Sequence, residues 1–458
     1  MYQRPKADNA HKVPEQYRVL SLFSGGMGLD LGLESTGRFK IVACIEKESA
    51  FCETIRQNRD SGRLPQDLRV LEADLSKLDP KEALDKMGID PSSIDVVVGG
   101  PPCQSFSTAG RRGTTQDPRG TLLWDFLRFV SYVEPKFFLM ENVRGLLSAA
   151  LKHRPIAERP EKGGAPLSEE EKPGSVVRLF AKDLSTINGG YHLDIFEVNA
   201  VNYGAPQLRE RALFIGNRFG RLVEFPAPTH GPSQTTGSQD NLFEAVNLQP
   251  WKTLGDALEG LDDPNPQIMD FSPRKKGFLA MVPEGSNWRS LPEEVQKESM
   301  GRAWHAKGGR SGWWRRLTFD LPCPTLVTMP NHASTSLCHP RENRALTIRE
   351  YARIQEFPDN WQFSGTLSKQ YAQIGNAVPT RLGCVAGGVI SQELDKALRE
   401  GAKFETMSSF EPRIIYLQSH VRTRQWFKGG ETIVWGNGEG SENVRYAKPK
   451  TQRKLRSI

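Results

Sequence analysis

Five short apolar runs in the first 140 residues each stop at a polar, glycine or cysteine residue, and this pattern constrains the fold more than any other feature. Residues 17–23 run into a glycine-rich turn at 24–28, residues 41–45 into Glu46, and residues 70–73 into Asp74. Residues 94–98 run into Gly99-Gly100-Pro101-Pro102-Cys103, and residues 136–140 into Glu141-Asn142-Val143. Short, uniformly apolar runs suit strands buried on both faces of a parallel sheet. The amphipathic stretches between them, beginning with 29–35, supply the helical crossovers, so the expected class is α/β. Ligands of open parallel sheets bind beyond the carboxyl ends of the strands. Gly25, Glu46, Asp74, Cys103 and Glu141 therefore fall along one rim, where an active site is expected.

Residues 152–175 break the rhythm. Pro155, Pro160, Pro166 and Pro173, the pair Gly163-Gly164 and the run Glu169-Glu170-Glu171 mark an exposed, mobile insertion. A helix is expected over 177–187 and strands over 191–199 and 212–217. From 221 to 344 helical periodicity weakens and Pro, Gly, Trp, Asn and basic residues rise, which reads as a second, smaller, loop-rich domain. Helices return over 347–355 and 381–398. Beyond about 401 the pattern is less regular, and it closes on Arg445, Lys448, Lys450, Arg453, Lys454 and Arg456.

Composition narrows the function classes. With 37% apolar residues the chain can build a core. No apolar run reaches the roughly 18 residues that a membrane helix needs. The first 16 residues are polar and lack the apolar segment of a secretion signal. Six cysteines without a C-x-x-C pair indicate a reduced, cytosolic compartment rather than a disulfide framework. His332, Cys338 and His339 match no common zinc spacing, and no metal site is expected. A net charge of +7 is compatible with a polyanionic partner and equally with an ordinary soluble protein.

Several segments carry chemistry. The turn Phe23-Ser24-Gly25-Gly26-Met27-Gly28 lets the backbone approach a ligand at a helix N-terminus. Glu46, 18 residues beyond Gly28, has the offset of an acid that takes ribose hydroxyls, and Asp74 is placed to receive an adenine amino group. The bland alternative is a tight turn with two surface acids. The spelling is not G-x-G-x-x-G, which counts against a nicotinamide cofactor. Two prolines fix the backbone before Cys103 at a strand end, as a nucleophile needs, although most cysteines of this kind are structural. Glu141 suits a pocket acid. Gln207, Arg209 and Arg211 alternate, so in a strand they share one face, and fixed guanidinium groups suit a base carbonyl or phosphates.

In order and spelling, these segments resemble the cytosine-5 DNA methyltransferase family. The resemblance rests on Leu22-Phe23-Ser24-Gly25, Pro101-Pro102-Cys103-Gln104, Asp117-Pro118-Arg119-Gly120-Thr121-Leu122 and Glu141-Asn142-Val143. It continues through Asn202-Tyr203-Gly204-Ala205-Pro206-Gln207 with Arg209 and Arg211, then the stretch from Arg349 to Pro358 and Gln373-Ile374-Gly375-Asn376-Ala377-Val378-Pro379. It covers about 17–398. One departure is Met27, which stands where the family turn usually has its second glycine; a side chain there could narrow the cofactor loop, but the neighbouring Gly26 and Gly28 compensate, and binding is expected to be kept.

The resemblance implies a Rossmann-like S-adenosylmethionine-dependent catalytic domain over 17–220, completed by 345–400, with a target-recognition domain over 221–344 and an extension over 401–458. It implies that Cys103, with Gln104 beside it, adds to C6 of a flipped cytosine, while Glu141, Arg209 and Arg211 hold the base and its charge. It places the methyl donor on Phe23, Ser24, Gly25, Gly28, Glu46, Asp74, Leu75, Pro101, Leu122 and Asn376. Arg302, Lys307, Arg310, Arg315 and Arg316, interleaved with Trp304, Trp313 and Trp314, become candidate DNA contacts. The implied substrate is double-stranded DNA in a bacterial cytoplasm and nucleoid. The enzyme is then a monomer that shares its site, without stable binding, with a cognate restriction endonuclease. An RNA cytosine methyltransferase, a catalytically dead DNA-binding relative and a nicotinamide oxidoreductase are the alternatives.

Overall fold

The computed structural model describes residues 13–102, 121–232, 248–306, 310–406 and 412–417. Among these, eight strands form one central sheet: β1 (Tyr17–Leu22), β2 (Phe39–Glu46), β3 (Arg69–Glu72), β4 (Val96–Gly99), β5 (Phe137–Val143), β6 (His192–Asn199), β7 (Glu210–Asn217) and β10 (Arg413–Tyr416). Two more, β8 (His230–Gly231) and β9 (Gln249–Pro250), form a short separate pair. The large sheet is ordered β10-β6-β7-β5-β4-β1-β2-β3. All its strands run parallel except β7, which is antiparallel to both neighbours.

Alternate side chains of each strand feed two apolar layers. Tyr17, Val19, Val96, Val98 and Leu139 point to one face, against α1 (Gly28–Glu34), α2 (Ser49–Asp60), α9 (Ile348–Ile354), α10 (Leu367–Asn376) and α11 (Thr380–Arg399). Leu20, Leu22, Val97, Phe138 and Met140 point to the other, against α3 (Pro80–Met87), α4 (Leu122–Val133) and α5 (Ser175–Ser185). In α4 alone, Phe126, Phe129 and Val130 are fully buried, and each such side chain contributes about 1.5–3 kcal/mol. Burial on both faces is why the strands read as continuous apolar runs. Local signals fix helix ends: Asp79 caps α3 with Pro80 at its first position, and Thr347 and Glu350 form a reciprocal capping box on α9.

Strand bounds differ from expectation most consequentially at β5 and β7. β5 runs three residues further, because its antiparallel partner β7 extends past the apolar core and pairs with Glu141, Asn142 and Val143. β7 begins at Glu210, two residues before the expected 212, yet Gln207 and Arg209 still precede it rather than sharing its face with Arg211.

Among the described residues, the first and last helices, α1 and α11, meet backbone to backbone at two glycines. A Cβ on Gly32 of α1 would overlap Thr380 O and lie 2.6 Å from Gly383 Cα of α11; a Cβ on Gly383 would overlap Leu29 O. A smaller core gathers Phe271, Phe278, Leu279, Val282, Trp288, Leu291, Met300, Trp314, Cys338 and Ala345, partly on α7 (Pro273–Ala280) and α8 (Glu293–Met300). The expected boundary at 221 does not coincide with it: Val223, Phe225 and Leu254, the last on α6 (Leu254–Leu258), pack with the sheet. The stretch 152–173 is mostly exposed, around Arg154, which donates to Glu171 and to the Ala165 carbonyl. Among the described residues no helix is long and apolar enough to cross a membrane, and no three His, Cys, Asp or Glu cluster as metal ligands.

Candidate active site

The parallel registers align Leu22 with Ile45 and Gly99, Glu46 with Glu72, and Gly99 with Met140. The residues just beyond these strand ends stand along one rim of the sheet. After β1 the backbone takes positive φ at Phe23 (55°), Gly25 (55°) and Met27 (70°), a strained turn of the sort held at ligand sites. Glu46 closes this turn from β2. Its Oε2 accepts from Gly25 N at 2.8 Å, and its Oε1 accepts from Lys47 N at 2.8 Å and Glu48 N at 2.9 Å. Burial pushes its carboxyl above the ordinary range, opposed by those donors. Asp74 accepts from Ser76 N and Oγ and pairs with Lys47 Nζ at 2.9 Å, which pulls its pKa down to about 2. Arg128, in the middle of α4, donates to the carbonyls of Leu75 and Leu78 and pins this turn against that helix, at whose N-terminus Leu122 is half-buried.

Glu141 is nearly buried, and its Oε1 pairs with Arg211 Nε across the β5–β7 ladder. A Cβ on Gly100 would lie 3.0 Å from Glu141 Oε2, so the missing side chain lets the chain pass over the carboxylate. Asn142 Nδ2 donates to Pro101 O at 3.1 Å and anchors the segment leading to Cys103. Cys103 and Gln104 lie outside the described residues, as does Lys307.

Next to this pair a cleft of about 880 Å³ opens between the rim and the loops of 311–337, with Arg144, Arg211, Arg315, Ser334, Thr335 and Tyr416 among its lining. Arg144 pairs with Glu197 at 2.7 Å and Glu210 at 3.3 Å.

A family model for C-5 cytosine-specific DNA methylase matches residues 17–391. The chain belongs to that family. It is 36% identical to the Type II methyltransferase M.Eco47II of Escherichia coli, over 83% of this chain and 80% of that protein. It is also 36% identical to M.Sau96I of Staphylococcus aureus, over 80% and 74%. A solved structure described as a prophage-encoded DNA modification methyltransferase of Escherichia coli aligns with TM-score 0.53 at 25% identity, covering 83% of this chain and all of the other. The fold is the Rossmann-like one of these enzymes, the activity is methylation of DNA cytosine at C5, and S-adenosylmethionine is the donor.

The methylase has residues that fit this donor. Glu46 spends three acceptor positions on backbone N–H groups, and a carboxylate offers about four, so one remains for a ribose hydroxyl. A Cβ on Gly25 would meet nothing closer than 3.9 Å, so the turn presents bare backbone to open space. Ser24 instead turns inward to Ser21 Oγ at 2.8 Å. Gly28, expected at the donor, serves packing: a Cβ there would overlap Val378 O and lie 3.1 Å from Ala377 Cβ. Met27 does not narrow the loop, because its side chain is fully buried in the core below. Gly26 abuts Gln373 O of α10, which brings the exposed Asn376 to the edge of the same loop.

The expected basic residues separate into two kinds. Arg209 is buried, donates to the carbonyls of Leu326 and Gly375, and ties β7 to α10. Burial draws its pKa well below the usual value, and it acts on position rather than on the base. Arg316 is likewise internal, donating to the carbonyls of Val282, Leu279, His339 and Glu342. It has nothing to spare for a phosphate. Arg315 is buried in the cleft wall, where desolvation lowers its pKa to about 10. Arg310 stacks over Trp288 at 4.9 Å, and Arg302 is exposed. Sequence reading missed Arg144, although it directly follows Glu141-Asn142-Val143. It also missed Gln355, which joins Gln207 Nε2 at 2.6 Å to the carbonyls of Ile374 and Ala377.

Proposed function

We propose that the methylase acts on one cytosine within a specific double-stranded DNA sequence, flipped from the stack to the rim beside Glu141, with Cys103 as transient nucleophile. The Glu141–Arg211 pair carries this reading: Arg211 lines the cleft, and Glu141 lies against Gly100, next to the Pro101 and Pro102 that lead to Cys103. Cytosine C5 is a weak nucleophile. The Cys103 thiolate adds to C6, and the C5–C6 π pair becomes available at C5. Glu141 holds the N3 and amino edge and Arg211 the carbonyl, so the charge driven into the ring is met by fixed groups. Bound S-adenosylmethionine supplies a methyl group on a sulfonium, an electrophile for that carbon. Loss of the C5 proton to a base returns its electron pair to the C5–C6 bond and expels the Cys103 thiolate.

The donor is held by Phe23, Gly25, Glu46, Asp74, Leu75, Pro101, Leu122 and Asn376. Flipping costs a few kcal/mol. Arg144 and Arg315 in the cleft, Arg302 and Arg310 on the smaller core, and Lys307 between those two in sequence offset it through phosphate and groove contacts. Target choice resides in 264–343. The Type II designation of the relatives supports a role as the modifying partner of a cognate restriction endonuclease. In this reading the methylase works as a monomer on nucleoid DNA in the cytoplasm and forms no stable complex with the nuclease.

Labelled methyl transfer to duplex DNA and to structured RNA, with bisulfite sequencing of the product, tests the reading. A duplex carrying 5-fluorocytosine at the target should trap a denaturation-resistant protein–DNA adduct, because fluorine cannot leave C5 as a cation. No adduct in the wild-type chain, or an adduct with Cys103→Ala, would refute the nucleophile.

A further inference from the structure

The family match ends at residue 391, yet the sheet gains its outermost strand after that point. β10 pairs in parallel with β6 from Arg413↔Asp194 to Tyr416↔Glu197. Arg413 fixes it by donating to the fully buried Asp194 at 2.7 Å and to Val223 O at 2.6 Å. Leu417 N continues the ladder onto Glu197 O at 2.9 Å. The strand is thus held on both sides of Tyr416, which gives that residue a fixed place.

Direction and alternation define the place. β5 and β6 are both antiparallel to β7, so β10 runs, like them, toward the rim that carries Glu141. Successive side chains of a strand point to opposite faces. Ile415 and Leu417 pack on the layer of α1 and α11, whereas Ile414 packs on the layer that holds Leu146 and Leu147. Tyr416 shares the face of Ile414 and comes beside the turn 144–148. There it stands in the cleft wall with Arg144 and Ser148, and its register partner Glu197 pairs with Arg144 at 2.7 Å.

Tyrosines that serve the core look different. Tyr17, Tyr191 and Tyr371 are fully buried, with hydroxyls bonded to Asp395 and to the carbonyls of Pro135 and Leu346. Tyr416 is 59% exposed in the cleft. A phenol offers an apolar ring and one uncharged O–H donor, which suits a deoxyribose and its phosphate, the commonest partners of protein side chains on DNA. Arg211 lines the same cleft, so a duplex that presents a base to the Glu141–Arg211 pair lays its backbone along this wall. We propose that Tyr416 binds the sugar–phosphate backbone of duplex DNA in the cleft, its ring against a deoxyribose and its hydroxyl donating to a phosphate oxygen, with β10 as the brace that presents it. This rests on the cleft being the DNA site.

The test compares the full wild-type chain with full-length Tyr416→Phe and Tyr416→Ala, reading affinity for a short duplex by fluorescence anisotropy across a salt series. Loss of a hydrogen bond to a charged group weakens binding by at least about tenfold in both variants. The slope of log affinity against log salt stays that of the wild type, since no cation is removed. Melting temperature and S-adenosylmethionine affinity also stay, whereas a structural role would move them. Replacing the phosphates one at a time by methylphosphonate identifies a linkage whose neutralisation costs the wild type about tenfold more than it costs Tyr416→Phe. Wild-type affinity in Tyr416→Ala would overturn the inference. So would equal costs in wild type and Tyr416→Phe at every linkage, or a loss matched by a fall in melting temperature. Methyl transfer by the wild type to the same duplex separates the two readings: with transfer intact and Tyr416→Ala binding as the wild type does, only the role of Tyr416 falls, whereas a wild type that neither binds nor methylates duplex DNA overturns both.

Discussion

The contact of Gly32 with Gly383 makes a prediction whose size comes from geometry. In Gly383→Ala the new methyl meets Leu29 O and Gly32 Cα, all backbone, so no rotamer change relieves the overlap and α1 and α11 must move apart. Overpacking of this kind costs about 1–3 kcal/mol, and rigid backbone neighbours put this site at the upper end. Alanine returns about 1 kcal/mol of helix propensity, leaving a net loss of about 2 kcal/mol. Gly388, five residues along the same helix, would place its methyl in open space, and Gly388→Ala collects the propensity alone. With about 2.1 cal/mol/K of unfolding entropy per residue over the 375 residues of the family match, Gly383→Ala lowers Tm by about 2–3 °C and Gly388→Ala raises it by about 1 °C. The displaced α1 begins at the donor turn, so titration calorimetry should show weaker S-adenosylmethionine binding in Gly383→Ala and unchanged binding in Gly388→Ala. Equal melting temperatures for the two variants would refute the close approach. The pair Gly32→Ala with Gly383→Ala should cost less than the sum of the singles, because one separation serves both methyl groups.

Cys103→Ala should abolish methyl transfer and keep donor affinity, read by labelled transfer and calorimetry. Glu141→Gln should lower kcat by about 10²–10³, the range for removing one preorganised polar contact, with donor affinity unchanged. Arg316→Met should destabilise by at least about 3 kcal/mol through orphaned buried carbonyls, seen in denaturant midpoints, whereas Arg302→Ala should leave Tm unchanged and reduce the DNA salt slope by about 1. Burial raises the Asp30 carboxyl from 3.8 to about 6, opposed by Ser21. For an acid raised on folding, the penalty is absent below pH 3.8, grows between 3.8 and 6, and is complete above. Its full size is of order 3 kcal/mol. Asp30→Asn should therefore raise Tm about twice as much at pH 7.5 as at pH 5, and an equal gain at both values would count against a buried, ionised Asp30.

Strands buried on both faces were the most legible part of the sequence, because core burial and strand identity coincide in β1, β4 and most of β5. Where backbone pairing outruns the core, as at Glu141–Val143, apolarity gives no boundary. β10 was invisible for the opposite reason: Arg413 and Tyr416 bracket only two apolar residues, and its place depends on Asp194, 219 residues earlier. The donor rim was readable as single residues at the ends of strands. Arg209 and Arg316 were not separable from surface arginines, since a guanidinium that gathers buried carbonyls and one that holds a phosphate are spelled alike. Met27 shows the limit of a motif: its backbone keeps the left-handed φ usual for glycine while its side chain leaves the site.

The meeting of α1 with α11 also sets a clock. Gly32 and Gly383 are 351 positions apart, and Gly26 and Gly28 wait for the same late segment. At about 5–20 residues per second, a ribosome needs roughly 20–70 s to travel from one to the other. Through that interval the nascent sheet carries an uncovered apolar face over α1, a surface for a chaperone to hold. The donor turn acquires its final support only once α10 and α11 have been made. A newly expressed methylase thus begins to modify DNA only after α11 has been translated, and a chain terminated before α11 yields no enzyme able to bind the donor and act out of turn.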